Sequence, residues 1–241
     1  MNPVGEWEPE AGNWVLWART RGQDAYWRYR DSFFNHIVPP PGRRCLEVGC
    51  GEGRVARDLA ARGHRVTGID SSHTLVGYSR REHADGTYLQ SDGAALPFRD
   101  EVFDLVVAYN CLQVVAAMSG TVREAARVLT PGGRFCFCVS HPVADVGRFV
   151  DESPEAPFVV RDDYFAHNRA EDDVERDGLK MTFRGWTYSL QDYAKALESA
   201  SLLIEAMREP RPSGDEPAYR RWNRVPMFLL VRAAKSRAPV G

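Results

Sequence analysis

The chain has 241 residues, 44% hydrophobic and 27% charged, with a formal net charge of −2. That length suits one large α/β domain, or one domain with an insert. The charge balance excludes a global basic field for collecting nucleic acid, and no run of about 18 apolar residues is available to span a bilayer. The opening MNPVGEWEPE lacks a basic n-region and an apolar h-region, so no signal peptide is expected and a cytoplasmic location is. Residues 1–41 are rich in aromatics, among them Trp7, Trp14, Trp17 and Trp27, and fit two helices near 10–20 and 23–37, ended by VPPPG. They are expected to form an N-terminal helical cap over a domain spanning 42–241.

From residue 43 the hydrophobic period alternates. RRCLEVGC (43–50) reads as a buried strand, and 53–63 as a helix with Gly63 as its C-cap. A strand over 64–70 and a serine-capped helix over 71–82 follow, then strands at 86–92 and 102–110. A helix at 118–133 is expected to stop at Pro131-Gly132-Gly133, before a strand at 134–141. Residues 142–186 break the pattern, being acidic with scattered aromatics, and read as an insert on the substrate side. A helix (187–202), a strand (203–209), a Pro/Arg loop (210–224) and a last strand (225–235) complete the chain. Alternating strands and helices argue for a parallel sheet covered on both faces, while the helix-less final connection requires an antiparallel last strand.

In such a sheet ligands bind beyond the carboxyl ends of the strands. There the sequence places Gly49, Gly51 and Gly53 after the first strand, Asp70 after the second, Asp92 after the third, Asn110 after the fourth and His141 after the fifth. The glycines allow a sharp strand-to-helix turn and close approach of a ligand to the backbone, and the following helix offers free N–H groups. Asp70 is placed to accept ribose hydroxyls and Asp92 to border an adenine. Glu47, two residues ahead of the glycines, repels a pyrophosphate and suits an ammonium or sulfonium, which argues against a dinucleotide.

The segments LEVGCGEGR, VTGID, SDGAALPF, FDLVVAYNCLQ and EAARVLTPGGRF resemble, in order and spacing, the motifs of class I S-adenosylmethionine-dependent methyltransferases. The resemblance is close over 43–141 and extends in layout to 187–235. It implies a Rossmann-like α/β fold, a seven-stranded sheet of order 3-2-1-4-5-7-6 with strand 7 antiparallel and helices on both faces. It implies S-adenosylmethionine as cofactor, with S-adenosylhomocysteine as product. Gly49 and Gly51 would line its methionine part, Asp70 its ribose and Asp92 its adenine, with Cys50, Gly53, Ser71 and Gly93 beside them. Glu47 would order the glycine turn from behind, and Asn110 and Leu112 would line the cofactor and substrate.

The activity so implied is O- or N-methylation of a small molecule, possible secondary metabolites included, by in-line displacement. His141 is the expected base and His167, in the insert, a second candidate; the alternative for each is local packing or hydrogen bonding. No N/D-P-P-Y/F motif follows the fourth strand and no proline adjoins Cys111, so base-methylating and cysteine-nucleophile RNA-methylating classes are not expected. Cys45, Cys50, Cys111, Cys136 and Cys138 lie in or beside apolar runs without zinc-like spacing, so no metal is expected. A fold relative that binds the cofactor without methylating, as a regulatory module or a cyclase, is the alternative. Oligomeric state is not readable from the sequence.

Overall fold

The computed structural model describes residues 7–20 and 22–236. Residues 1–6, 21 and 237–241, which belong to the expected cap and domain, lie outside the described residues. In chain order the fold opens with helices α1 (Ala11–Arg19) and α2 (Tyr26–His36). Strand β1 (Arg44–Val48) leads through the glycine turn into α3 (Arg54–Ala61), and β2 (Arg65–Asp70) into α4 (His73–Glu82). Next come β3 (Thr87–Gln90), β4 (Phe103–Tyr109), α5 (Met118–Val128) and β5 (Leu129–Ser140). The one-turn α6 (Pro142–Asp145) precedes β6 (Gly147–Phe149), β7 (Phe158–Val160), β8 (Arg169–Arg176) and β9 (Leu179–Trp186). Helix α7 (Leu190–Ser199), β10 (Leu202–Arg208), a 3-10 turn over Pro217–Asn223 and β11 (Phe228–Lys235) close the described fold.

The main sheet has seven strands in the order β3-β2-β1-β4-β5-β11-β10. The β1, β2, β3, β4 and β5 pairings are parallel, and β11 runs antiparallel to both β5 and β10. This is the expected 3-2-1-4-5-7-6 sheet with its last strand reversed. Period-two alternation explains the two cores. β4 sends Val106 and Ala108 to the face covered by α5 and α7, and Leu105, Val107 and Tyr109 to the face covered by α2 and α3. Among the described residues, no helix is long and apolar enough to cross a membrane.

The structure departs from expectation at the end of α5. Helix α5 stops at Val128 instead of running to 133, because Leu129 is already extended. Pro131-Gly132-Gly133 then lies inside the start of β5, where the β4–β5 register shifts between Phe103 and Leu105. The insert is α6 plus two hairpins, β6–β7 and β8–β9. Every residue of β8 is exposed or half-buried, so hydrophobic alternation carries no signal there. The hairpin turn does, since Asp177 and Gly178 take φ of 51° and 76°, the left-handed pair a two-residue turn demands. Gly185 docks this hairpin on the β4–α5 loop. A Cβ there would meet the Gln113 carbonyl oxygen at 2.6 Å, and the Trp186 amide donates to that same oxygen at 2.8 Å.

Candidate active site

A cavity of about 910 Å³ opens above the carboxyl ends of β1, β2, β4 and β5, roofed by α1 and the insert hairpins. At its floor the Gly49 and Cys50 amides both donate to the Ile69 carbonyl, at 2.9 and 2.8 Å, folding the turn back over β2. Gly49 has φ of 73°, and a Cβ would lie 2.5 Å from the Cys111 sulfur. Gly51 has φ of 55° and faces the Trp14 indole nitrogen, which a Cβ would meet at 3.1 Å. These two positions therefore exclude side chains on both conformational and steric grounds.

Asp70 closes the turn. Its Oδ2 accepts from the Gly51 amide at 2.8 Å and its Oδ1 from the Ser72 amide at 2.9 Å. Burial raises its carboxyl above the usual range, opposed by these amide bonds. Each oxygen keeps lone-pair capacity for a further donor. Glu47 is 1% exposed, and its Oε2 has no hydrogen-bond partner although it borders the cavity. Burial, then the nearby charges of Asp70 and Glu52, push its carboxyl well above the carboxylate range. An unpartnered buried carboxyl is costly and is relieved by a cationic donor. Gln113 Oε1 and Thr121 Oγ1 are likewise buried, unpartnered and on the cavity wall.

The other expected residues divide. Cys50, Ser71, Asp92, Gly93 and Asn110 line the cavity. Asp92 turns its Oδ1 to the Ala94 amide at 2.9 Å, and a Cβ on Gly93 would press Val48 at 3.0 Å. Asn110 holds φ of 50° while its amide donates to the Cys138 carbonyl at 2.8 Å. Gly53 lies outside the wall, capping α3 with φ of 89° against the Ser79 hydroxyl. Leu112 is fully buried in the core cluster beneath the cavity.

Neither histidine reaches the chamber. His141 is 3% exposed; its Nδ1 accepts from the Val143 amide as the cap of α6, and its Nε2 meets Glu209 Oε1 at 2.9 Å. Burial lowers its pKa, partly offset by Glu209. His167 packs on Tyr188 with Nε2 3.0 Å from Asp192 Oδ2. The residue on the wall is Asp145, one turn beyond His141, with Ser140 beside it on the same wall. Burial pushes its carboxyl up to about 7, opposed by Arg148 and Ser140. The sequence signal for it was the His-Pro cap itself, which starts a turn that carries the fourth following residue inward.

The roof is aromatic and is held by buried charge. Trp14 and Trp17 meet Phe183 of β9 edge-on at 6.3 and 5.7 Å. Arg54 pairs with Asp24 at 2.9 Å and lies under Tyr26 and Trp14 at 4.3 and 5.0 Å. Glu52, within the glycine turn, binds Arg19 of α1 at 3.1 Å and Arg57 of α3 at 2.8 Å. The N-terminal helices thus wall the turn as well as the chamber beyond it.

Comparison with known proteins is in keeping with this geometry. Residues 46–137 match the model of a family described as "Methyltransferase domain". A demethylmenaquinone methyltransferase of Tropheryma whipplei is 37% identical over 131 residues, 53% of this chain and 54% of that protein. The match thus spans about half the length of that relative. A demethylmenaquinone methyltransferase of Symbiobacterium thermophilum is 34% identical over 210 residues, 81% of this chain and 75% of its own. A solved S-adenosylmethionine-dependent methyltransferase of Mesorhizobium loti superposes with a TM-score of 0.72 at 23% identity, covering 88% of this chain and 98% of that one.

Proposed function

The chain belongs to the class I S-adenosylmethionine-dependent methyltransferases, and on that basis we propose that it methylates a small, flat, largely apolar acceptor in the aromatic chamber beside Asp145. The observation that carries the reading is the buried, unpartnered Glu47 oxygen at the glycine-lined end of the cavity. That end fits S-adenosylmethionine, whose ammonium and sulfonium answer its surplus of carboxyl groups. Glu47 receives the ammonium side, the backbone at Gly49 and Gly51 admits the methionine part, and Asp70 takes a ribose hydroxyl with its free lone pairs. Ser71, Asp92 and Gly93 border the adenine, and Asn110 and Cys50 close the sides.

When bound, the cofactor supplies an electrophilic sulfonium methyl. The chain's task is then to orient the acceptor and exclude water. Trp14, Trp17 and Phe183 clamp a ring by edge and face contacts. Asp145 accepts the proton of an acceptor hydroxyl, a role for which a carboxyl near 7 is matched at neutral pH. The quinone-ring names of the Tropheryma and Symbiobacterium relatives support a flat guest. Calorimetry with S-adenosylhomocysteine and with NAD tests the cofactor half: binding of the first and not the second is expected, and the reverse sinks it. Transfer of labelled methyl to a panel of phenols, quinols, amines and carboxylates tests the other half. The expected outcome is turnover concentrated on ring hydroxyls; exclusive turnover of aliphatic amines removes Asp145 and the ring clamp from the reading.

A further inference from the structure

At the opposite, amino-terminal edge of the sheet lies a second cavity, of about 920 Å³, lined by Phe34, Pro39, Pro40, Pro41 and a cluster of basic side chains. Arg43, Arg62, His64, Arg134 and Arg232 face it, with Glu205 as the acid on its wall. Glu205 is already engaged: Arg134 grips it with two bonds of 3.2 and 3.0 Å, and Arg232 adds a third of 3.1 Å. Arg43 and Arg62 have no carboxylate within ion-pair distance among the described residues. Asp104 lies in the field of Arg43, but both its oxygens are bonded to Arg44. Arg62 stacks on the Phe34 ring at 4.1 Å and gives one bond to the Asp58 carbonyl.

Two buried nitrogens here also lack partners, Arg43 Nε and His64 Nδ1, and His64 is only 5% exposed. Guanidinium groups gathered around one carboxylate repel one another, and each buried donor left unmade costs free energy. An oxyanion answers both deficits at once, since guanidinium forks match phosphate geometry and bind it with charge-assisted bonds.

We propose that this cavity is an anion site for a phosphate group carrying two charges, held by Arg43 and Arg62 with His64 as a third donor. Arg134 and Arg232 add positive field from the far wall, and the triple proline supplies an apolar floor for the organic part of a phosphate ester. The site lies across the sheet from the proposed cofactor turn, so it stands or falls separately from the methyl-transfer reading. Burial, then Arg43 and Arg62, lower the pKa of His64. A bound dianion reverses that field, so phosphate binding and protonation of His64 favour each other.

The experiment follows the His64 ring resonances of the full chain by NMR while inorganic pyrophosphate, AMP or chloride is added at matched ionic strength. Saturable shifts with pyrophosphate or AMP, a higher His64 titration midpoint in their presence, and about tenfold or greater weakening in Arg43→Gln and Arg62→Gln are expected. Tighter AMP binding assigns the site to phosphate esters, and tighter pyrophosphate binding to free polyphosphate. S-adenosylhomocysteine affinity stays unchanged in both variants. Equal response to chloride, no response of His64, or unchanged affinity in the folded arginine variants overturns the proposal. The His64 titration of the unsubstituted chain decides the matter even if a variant fails to fold.

Discussion

The two ends of the large cavity are built on different principles. At the proposed cofactor end the groups that matter are largely backbone: the Gly49 and Gly51 turn, and an Asp70 carboxylate tied to two amides, all within one strand–turn–helix and its neighbour. At the chamber end they are side chains delivered by five separate segments: Trp14 and Trp17 from α1, Gln113 from the β4–α5 loop, Asp145 from α6, Phe183 from β9 and Tyr219 from the 3-10 turn. Backbone geometry admits almost no substitution, whereas a wall of independent side chains can be re-tailored one residue at a time. One sheet can therefore keep its donor fixed and alter its acceptor.

Five expected outcomes put that contrast to the test. The largest concerns the chamber. Asp145→Asn should lower kcat on a hydroxyl acceptor by about 10²–10⁴-fold with cofactor affinity unchanged by calorimetry. In the parent, kcat/KM should rise as pH climbs through about 7, where Asp145 ionises, and the variant should lose that limb. Stability runs the other way. The folded carboxyl titrates near 7 and the unfolded one near 3.9, so its neutral form stabilises fully below about 4 and this is lost as pH rises toward 7. Denaturant melts of parent and Asn variant across that window check it.

Next, Gly49→Ala forces a left-handed alanine against the Cys111 sulfur, and a loss of about 2–4 kcal/mol is expected in denaturant unfolding. Third, Asp70→Ala should weaken S-adenosylhomocysteine by about tenfold or more and also destabilise the fold, because it strands the Gly51 and Ser72 amides. Asp70→Asn, which keeps the shape, should recover part of the stability but not the affinity. Fourth, cofactor binding should be accompanied by proton release, because a cation beside Glu47 draws its raised carboxyl back toward ionisation. Calorimetry in buffers of different ionisation enthalpy reads this, and proton uptake would contradict it.

The smallest effect is His141→Ala. It removes a helix cap and a Glu209 contact, so a stability loss of about 1 kcal/mol is expected with kcat nearly kept. The folded imidazole titrates below the unfolded one, so its contribution is present above about 6.5 and is lost as pH falls. A kcat loss as large as that of Asp145→Asn would restore His141 to the chemistry.

Legibility in the sequence followed the same contrast. The β1–glycine–α3 turn and the Asp70 strand end were readable because turn chemistry and period are local properties; the alternation of elements implied a parallel sheet with a reversed last strand, and the order of the seven strands came from the family resemblance. The chamber was not, because its residues meet only in three dimensions. His141 stood at the right strand end, yet its Nδ1 is spent on the Val143 amide, and it is the turn it caps that brings Asp145 to the wall. β8 hid for another reason: RAEDDVER buries no face, so only the Asp177-Gly178 turn marked its hairpin. Leu112 was placed on the cavity by the family resemblance, but its side chain is fully buried in the core cluster.

The fastening of α1 carries a further consequence. Among the described residues α1 and its flanking residues join the body through side chains: Arg19 to Glu52 and Glu82, Glu8 to the Ser72 and Thr74 hydroxyls, and Arg54 to Asp24 and the Ala18 carbonyl. No backbone ladder ties α1 to the sheet, whose strands hold one another by continuous pairing. The molecule accordingly has two opening free energies, a small one for the roof and a large one for the sheet. Amides of Ala11–Arg19 should exchange with deuterium long before those of β4, faster in high salt than in low because the pairs at Arg19 are partly exposed. A bound ligand spanning roof and floor should slow them toward the rate of the whole, so the exchange of one nine-residue helix becomes a gauge of occupancy for the entire cavity.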